Sequence, residues 1–264
     1  MTEPRFGGGR SSASAEATSW RVVRKPTTVS TNIDVLDLAR LGDPGRVWVV
    51  AETQNGGRGR RGREWTSQPG NLYASALLID PGVPPRLPEL PFVAAVAAAD
   101  AVAAIACGRK TPGIKWPNDV LIDGRKLAGI LLESTRTPSG RTAVAVGIGV
   151  NCRHHPFGTE TPATDLLFEG IDASPERLFD ALSDSFAARL DEWDEGRGFA
   201  AIRAAWLSRA VGIGGPIRVR LMRGEDRGVF EGIDADGLLI LAGADGSRRK
   251  ISAGDVFFPP TKDE

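Results

Sequence analysis

Between Asn55 and Trp65 the chain reads NGGRGRRGREW, which interleaves Gly56, Gly57, Gly59 and Gly62 with Arg58, Arg60, Arg61 and Arg63. Glycine backbone N–H groups and guanidinium forks are both suited to holding an anion. Gly57-x-Gly59-x-x-Gly62 matches the dinucleotide fingerprint letter for letter, but that fingerprint needs a helix directly after its third glycine. Here REWTSQPGN follows, which reads as a turn leading into a strand. A phosphate loop of the Walker type needs Lys-Ser/Thr after the last glycine, and this chain has Arg63-Glu64. Two readings survive: an anion cradle on a flexible loop between two strands, or a solvated basic turn.

A second stretch, KWPNDVLIDGRKLAGILLES from Lys115 to Ser134, sets one lysine among apolar residues beside Asp123-Gly124, a strong two-residue hairpin signal. With that turn, Ile122 faces Arg125, Leu121 faces Lys126 and Val120 faces Leu127. The period-2 rule then places Asp119 on the side of Leu121, diagonal to Lys126 and within its reach. The pair is either a surface ion pair of small worth or a charged device on a mostly buried hairpin.

Several elements must position these residues. STNIDVLDLARLG reads as a helix capped by Ser30 or Thr31, with Ile33, Leu36 and Leu41 on one face. RVWVVAET and NLYASALLI read as strands flanking the arginine loop, and PFVAAVAAADAVAAI from Pro91 as a buried alanine-rich helix, too short to span a bilayer. AVAVGIGVNC is a further strand. Ser174-Pro175-Glu176 opens a helix whose face is Leu178, Leu182, Phe186, Leu190 and Trp193; a second helix runs from about Phe199 to Arg209. From Gly212 short strands punctuated by Gly and Asp (PIRVRLM, RGVFEGID, GLLILA, SRRKISAGDVFF) predict a small β-barrel. The domains read as a flexible tail over 1–26, a catalytic domain over 27–211 and a small β domain over 212–264.

Taken together, STN (Ser30 to Asn32), AETQNGGRGRRGREW, KWPNDVLIDGRKLAGILLES, VGIGVN (Val146 to Asn151), ATDL (Ala163 to Leu166) and GIDADGLLIL…ISAGDVFF resemble the biotin–protein ligase family. The resemblance implies an α+β fold: a mixed β-sheet backed by helices, of the class II synthetase type, with a small C-terminal SH3-like β-barrel. It implies a ligase that joins biotin to ATP as a bound acyl-adenylate, with Mg²⁺ held largely by phosphate oxygens and water. The biotinyl group then passes to a lysine on the biotin carboxyl carrier domain of acetyl-CoA carboxylase or a related carboxylase.

The chemistry asks for cations, because a carboxylate must attack a phosphate and the two anions repel. By resemblance, Lys126, Arg58, Arg60 and Asp119 carry catalysis. Arg58 and Lys126 hold the carboxylate and the α-phosphate. Arg60 and the backbone from Gly57 to Gly62, Gly59 included, close over the anhydride and shield it from water. Ser30, Thr31 and Gln54 bond the ureido ring, with Asn32, Gly129 and Leu131 also in the biotin site. Trp65 forms the adenine end and Asn151 reads the adenine edge, with Arg61 and Asn118 also on the ATP side. Asp119 either orients the adenylate or takes a proton from the incoming amine. With no apolar anchor and four like charges, nothing in the arginine loop offsets its ordering entropy when the pocket is empty. It is therefore expected to be mobile in the free protein and to fold only when biotin or the adenylate supplies the missing anion.

Composition narrows the classes. Of 264 residues 41% are apolar and 25% charged, with Lys+Arg and Asp+Glu equal at 33 each, so no overall field draws the chain to nucleic acid or membrane. Two cysteines without a CxxC pair, and no apolar signal core, fit a reducing cytoplasm. Cys152, His154 and His155 make at most three ligands on one short loop; no metal site is expected there, and the loop is read as solvent-facing. Trp116 and Trp206 are assigned to packing. Asp255 stands where many relatives carry glutamate, without their nearby basic partner. Two other functions are compatible with parts of the sequence. A lipoate or octanoate ligase needs a longer apolar slot. A biotin-responsive repressor needs a DNA-reading module of roughly 60 residues, and only about 26 residues precede TTVSTN. The expected assembly is a monomer or homodimer.

Overall fold

A computed structural model describes residues 20–259. The larger unit is a seven-stranded mixed sheet, and each strand's alternating side chains decide which of two cores they enter. In chain order it contains β1 (Arg21–Thr28), β2 (Val47–Gln54), β3 (Leu72–Ile79), β4 (Gly113–Lys115), β5 (Asp119–Ile122), β6 (Arg125–Arg136) and β7 (Thr142–Val150), arranged β1-β2-β3-β7-β6-β5-β4. Among the described strands only β1 and β2 pair in parallel, joined by helix α1 (Thr31–Arg40), as a parallel pair requires a crossover. On β2, Trp48 and Val50 enter one core while Val47 and Val49 enter the other. The first core is covered by α2 (Leu90–Ala106), α3 (Pro175–Trp193) and α4 (Phe199–Leu207); the second lies under α1, through Val35, Leu36 and Ala39. Burial on both faces explains why these strands read as nearly continuous apolar runs.

α2 is buried almost all round, which explains an apolar composition without a polar stripe. With the 3-10 segment before it, Pro84–Ala106 is long and apolar enough to cross a membrane by length and composition, longer than the run counted from Pro91, and 78% of its most apolar window is buried. α3 starts as expected: the Ser174 side chain accepts from Arg177 N and Pro175 occupies the first turn. The smaller unit is an antiparallel sheet of β8 (Pro216–Arg220), β9 (Glu225–Ile233), β10 (Leu239–Ala242), β11 (Arg248–Ile251) and β12 (Asp255–Phe257), ordered β11-β10-β9-β8-β12.

Four expectations are corrected. Residues 1–19 of the supposed tail lie outside the described residues, but strand structure begins at Arg21, inside it, and Trp20 packs on Trp48 and Phe186 at 5.5 and 5.7 Å. The C-terminal sheet leaves β11 and β12 as edges, so it is an open sheet rather than a closed barrel; SRRKISAGDVFF splits at Ser252–Gly254 and feeds opposite edges. On α1, Leu36 is buried as expected, but Val35 and Ala39 complete that face, while Ile33 is half-buried and Leu41 is 85% exposed. The Asp123-Gly124 turn forms, with φ of 48° and 75° as a type I′ turn needs, and Leu121 pairs with Lys126. However, a bulge between Val120 and Leu121 sets Val120 against Ala128 rather than Leu127.

Candidate active site

On β7 the face that carries Ala143 and Ala145 under α1 continues as Gly147 and Gly149, and there the sheet is left bare of side chains. A Cβ on Gly147 would collide with Asn32 Oδ1, one on Gly149 would lie 2.7 Å from the Trp65 ring, and one on Gly129 of β6 would lie 3.0 Å from it. Glycine is required because a helix terminus and an indole lie directly on the backbone. Over this floor opens a cavity of about 300 Å³.

One end is neutral and polar. The carboxamide oxygen of Gln54 accepts from Thr31 N at 2.9 Å and Thr31 Oγ1 at 3.2 Å, so a side chain from β2 caps α1, whose N-cap Ser30 makes no side-chain cap bond. Ser75 Oγ lies 2.7 Å from Thr31 Oγ1 and 2.6 Å from Asn32 Oδ1. Asn32 Nδ2 donates to Glu133 Oε2 at 2.8 Å and to Leu131 O at 3.3 Å. Ser30, Thr31 and Asn32 are all buried.

The other end is cationic. Lys126 Nζ stands 2.6 Å from Asp119 Oδ1 and 5.4 Å from the centre of the Trp65 ring; Lys115 Nζ lies 3.5 Å from Asp119 Oδ2 and donates to Thr161 Oγ1 at 3.2 Å. Burial alone would raise the Asp119 pKa, but Lys126 and Lys115 outweigh it and hold the carboxyl below its ordinary value. Burial lowers the pKa of Lys115, against the pull of Asp119. Arg60 is likewise lowered by burial, opposed by Asp255 and Asp119. Arg60 Nη1 donates to Asn118 Oδ1 at 3.3 Å, and Asn118 Nδ2 donates to Ile130 O. The structure brings Ser30, Thr31, Asn32, Gln54, Arg58, Gly59, Arg60, Trp65, Asn118, Asp119, Lys126, Gly129, Leu131 and Asn151 together around this one cavity.

Some placements differ from expectation. Gly57 and Arg61 do not line the cavity. Gly57 is glycine for another reason: a Cβ there would lie 2.6 Å from Ser67 Oγ and 2.7 Å from Trp65 O, where the loop doubles back. Asn151 lines the cavity, but its Nδ2 is spent on Thr164 O at 3.0 Å. The arginine loop is not short of anions. Arg58 reaches Glu133 Oε1 at 3.0 Å, and Arg63 and Arg61 reach the two oxygens of Asp255 at 2.9 and 3.2 Å. Asp255 therefore has basic partners after all, supplied by the loop and by Arg220 at 3.6 Å. Cys152 is fully buried, its thiol pushed up to about 12 by burial. His154 is exposed, as the loop reading had it, but His155 is half-buried with Nδ1 2.6 Å from Asp165 Oδ2. Trp116 and Trp206 are buried as assigned, although Trp116 also borders the cavity.

Sequence reasoning missed Ser75, Glu133, Lys115 and Thr161. Ser75 could have been found, since the alternation of NLYASALLI puts Tyr73 and Ser75 on one face and Leu72, Ala74 and Ala76 on the other. Lys115 opens a motif already singled out.

Residues 20–151 match the biotin/lipoate A/B protein ligase family and residues 212–258 match the biotin protein ligase C terminal domain. The chain is 46% identical over 241 residues to the biotin–[acetyl-CoA-carboxylase] ligase of Paracoccus denitrificans, covering 88% of this chain and 98% of that protein. This chain belongs to the biotin/lipoate A/B protein ligase family. It is also 33% identical to the bifunctional ligase/repressor BirA of Bacillus spizizenii, over 96% of this chain and 77% of that one. Its fold is that of the Aquifex aeolicus biotin protein ligase solved with biotin and ATP, at a TM-score of 0.76 and 24% identity, covering 90% and 97% of the two chains. Within the family fold, the neutral end and the cationic end of one cavity are built by α1, the arginine loop and the β5–β6 hairpin.

Proposed function

We propose that this chain is a biotin–[acetyl-CoA-carboxylase] ligase: it condenses biotin with ATP to biotinyl-5′-AMP and pyrophosphate, then transfers the biotinyl group to a lysine of a carboxylase's carrier domain. The observation that carries this is one cavity with a neutral hydrogen-bonding end (Ser30, Thr31, Asn32, Gln54), a cationic end (Lys126, Lys115, Arg60), and Arg58 held beside the first by Glu133, in a chain 46% identical to a ligase of that activity.

The neutral end suits an uncharged cyclic urea, whose oxygen and N–H groups need partners when buried. The carboxylate at the far end of biotin then lies among the cations. There its oxygen attacks the α-phosphorus of ATP, and the bond to the pyrophosphate oxygen breaks. Lys126 and Arg58 neutralise the approaching anions, a preorganised electrostatic contribution. Glu133 holds Arg58 in place until an incoming anion takes over that guanidinium. The Trp65 ring, held against Gly149 and Gly129, offers a stacking surface for adenine. In the second step the neutral amine of the carrier lysine attacks the biotinyl carbonyl, the bond to the phosphate oxygen breaks so that AMP departs, and the amine's proton passes to water. Asp119 holds Lys126 in position rather than accepting the amine proton, because its two oxygens face two lysines and its pKa is held low, which makes it a weak base.

The donor set does not suit a Mg²⁺ ion caged by protein. Among the described residues no three His, Cys, Asp or Glu come together to hold a metal, and Asp119 and Asp255 are each committed to cations. Mg²⁺ belongs to the proposal as part of the Mg-ATP substrate, held by phosphate oxygens and water. A cytoplasmic setting, a soluble carrier rather than DNA or membrane, and a monomeric or dimeric enzyme complete the reading; free Cys107 and Cys152 fit a reducing compartment.

The test is to incubate the protein with biotin, Mg-ATP and a carrier domain and to probe the carrier with avidin. A labelled carrier supports the assignment. No label, under conditions where an authentic ligase labels the same carrier, removes it, and lipoyl transfer in its place moves the chain to the other branch of the family.

A further inference from the structure

Arg220 ends β8 and Asp255 begins β12, and the two are register partners at the corner of the C-terminal sheet nearest the cavity. On one side Asp255, 9% exposed, receives Arg63 at 2.9 Å and Arg61 at 3.2 Å from the arginine loop. On the other side Arg220 directs both terminal nitrogens at Glu160, at 2.9 and 2.7 Å, in the segment that follows β7. Glu160 adjoins Thr161, which accepts from Lys115. The Arg220 carbonyl also accepts from Arg61 Nη2 at 3.4 Å, and the Arg220 guanidinium lies 4.8 Å from the centre of the Phe257 ring, which itself borders the cavity. Charges therefore alternate along one line: loop arginines, Asp255, Arg220, Glu160. The two walls of the cavity meet through a domain that holds none of the reacting atoms.

We propose that Arg220 and Asp255 form a clasp that ties both cavity loops together over the bound acyl-adenylate. The C-terminal sheet thereby sets how long the reactive intermediate stays, and how selectively it is spent on the carrier lysine. Both are positioning residues, and the inference rests on the adenylate-forming reading above. The two limbs are unequal. Asp255 is buried and shared by two arginines, whereas the Arg220 and Glu160 side chains are 35% and 48% exposed, where an ion pair contributes little on its own. The Glu160 limb is therefore the one that opens first.

The substitutions R220Q, R220E and E160Q test the clasp with two readouts. In the first, pyrophosphate release measures adenylate formation while gel filtration and labelling of bulk albumin measure its escape. R220Q forms adenylate at close to the wild-type rate but releases several-fold more of it. R220E, which sets a carboxylate beside both Glu160 and Asp255, releases more still, and E160Q, which keeps the Arg220–Asp255 contact, releases less than R220Q. In the second, amide hydrogen exchange on the substrate-free protein rises together across 57–63 and 157–163 in R220Q, and only across 157–163 in E160Q. Retention equal to wild type in R220Q, E160Q that leaks like R220E, or exchange in R220Q that rises only across 157–163 overturns the clasp. A wild-type protein that makes no adenylate but shows the coupled exchange keeps the clasp and defeats the reading of its purpose.

Discussion

Lys126 sits between a carboxylate at 2.6 Å and an indole face at 5.4 Å, so its ammonium is aimed before any substrate arrives. Lys126→Ala is expected to cut adenylate formation by about 10²–10³-fold, equivalent to about 2.7–4 kcal/mol, with circular dichroism unchanged. Wild-type pyrophosphate release from the folded variant would contradict this. Lys126→Arg is expected not to rescue, because a planar fork cannot satisfy Asp119 and stay over Trp65 in the space of an ammonium. Lys115 makes the opposite kind of contribution. Its folded-state pKa lies below the ordinary 10.5, so between that lowered value and 10.5 the unfolded chain binds more protons and stability rises with pH. Below that window the charged, buried lysine costs stability, and above it the penalty is gone. Lys115→Met should therefore flatten the rise of unfolding free energy with pH on the alkaline side, measured by urea titrations up to pH 10.5. An unchanged slope would show that Lys115 does not govern it.

Strand β7 puts two glycines where two ligand ends are proposed to lie, so each can be closed separately. Gly147→Ala presses on Asn32 and should weaken biotin binding, whereas Gly149→Ala presses on Trp65 and should weaken ATP binding. Each loss is expected to reach up to about 100-fold, as for a displacement of about 1 Å at a reacting centre. Titration calorimetry with each ligand alone checks it, and equal loss of both ligands in both variants would sink the division. The glycines in VGIGVN, the hairpin turn, the Ser174 cap and most strands were legible in the sequence because each rests on a local rule. β1 was not: RVVRKPTT is exposed along most of its length and carries Pro26, so it shows no apolar alternation and depends on pairing with β2. The bulge at Val120 and Leu121 moved a register that a turn alone predicts wrongly. The acids that hold the arginine loop, Glu133 and Asp255, are separated from it by 75 residues or more, and no local pattern joins groups so far apart.

Across the whole molecule one core runs from Val50 and Trp48 in the large sheet through Trp116, Phe92 and Trp206 to Phe230, Leu239 and Val256 in the small one. Trp116 Nε1 donates to Gly237 O at 3.2 Å across that junction. The two units should therefore unfold in a single transition, with ellipticity and fluorescence coincident in urea; two separated transitions would refute it. Trp116→Phe should lower stability by about 1–3 kcal/mol, because it leaves a buried carbonyl without its donor. The six tryptophans also differ in what they report. Trp48, Trp116, Trp193 and Trp206 are buried, and Trp20 is packed on Trp48 and Phe186. Trp65 lies on the cavity floor beside the Lys126 ammonium. Occupation of the cavity changes the polarity around Trp65 and, less directly, around buried Trp116 at its border, while Trp20, Trp48, Trp193 and Trp206 keep theirs. The enzyme thus carries its own optical gauge: emission that shifts as the adenylate forms, recovers as the carrier is charged, and loses most of its amplitude in Trp65→Phe.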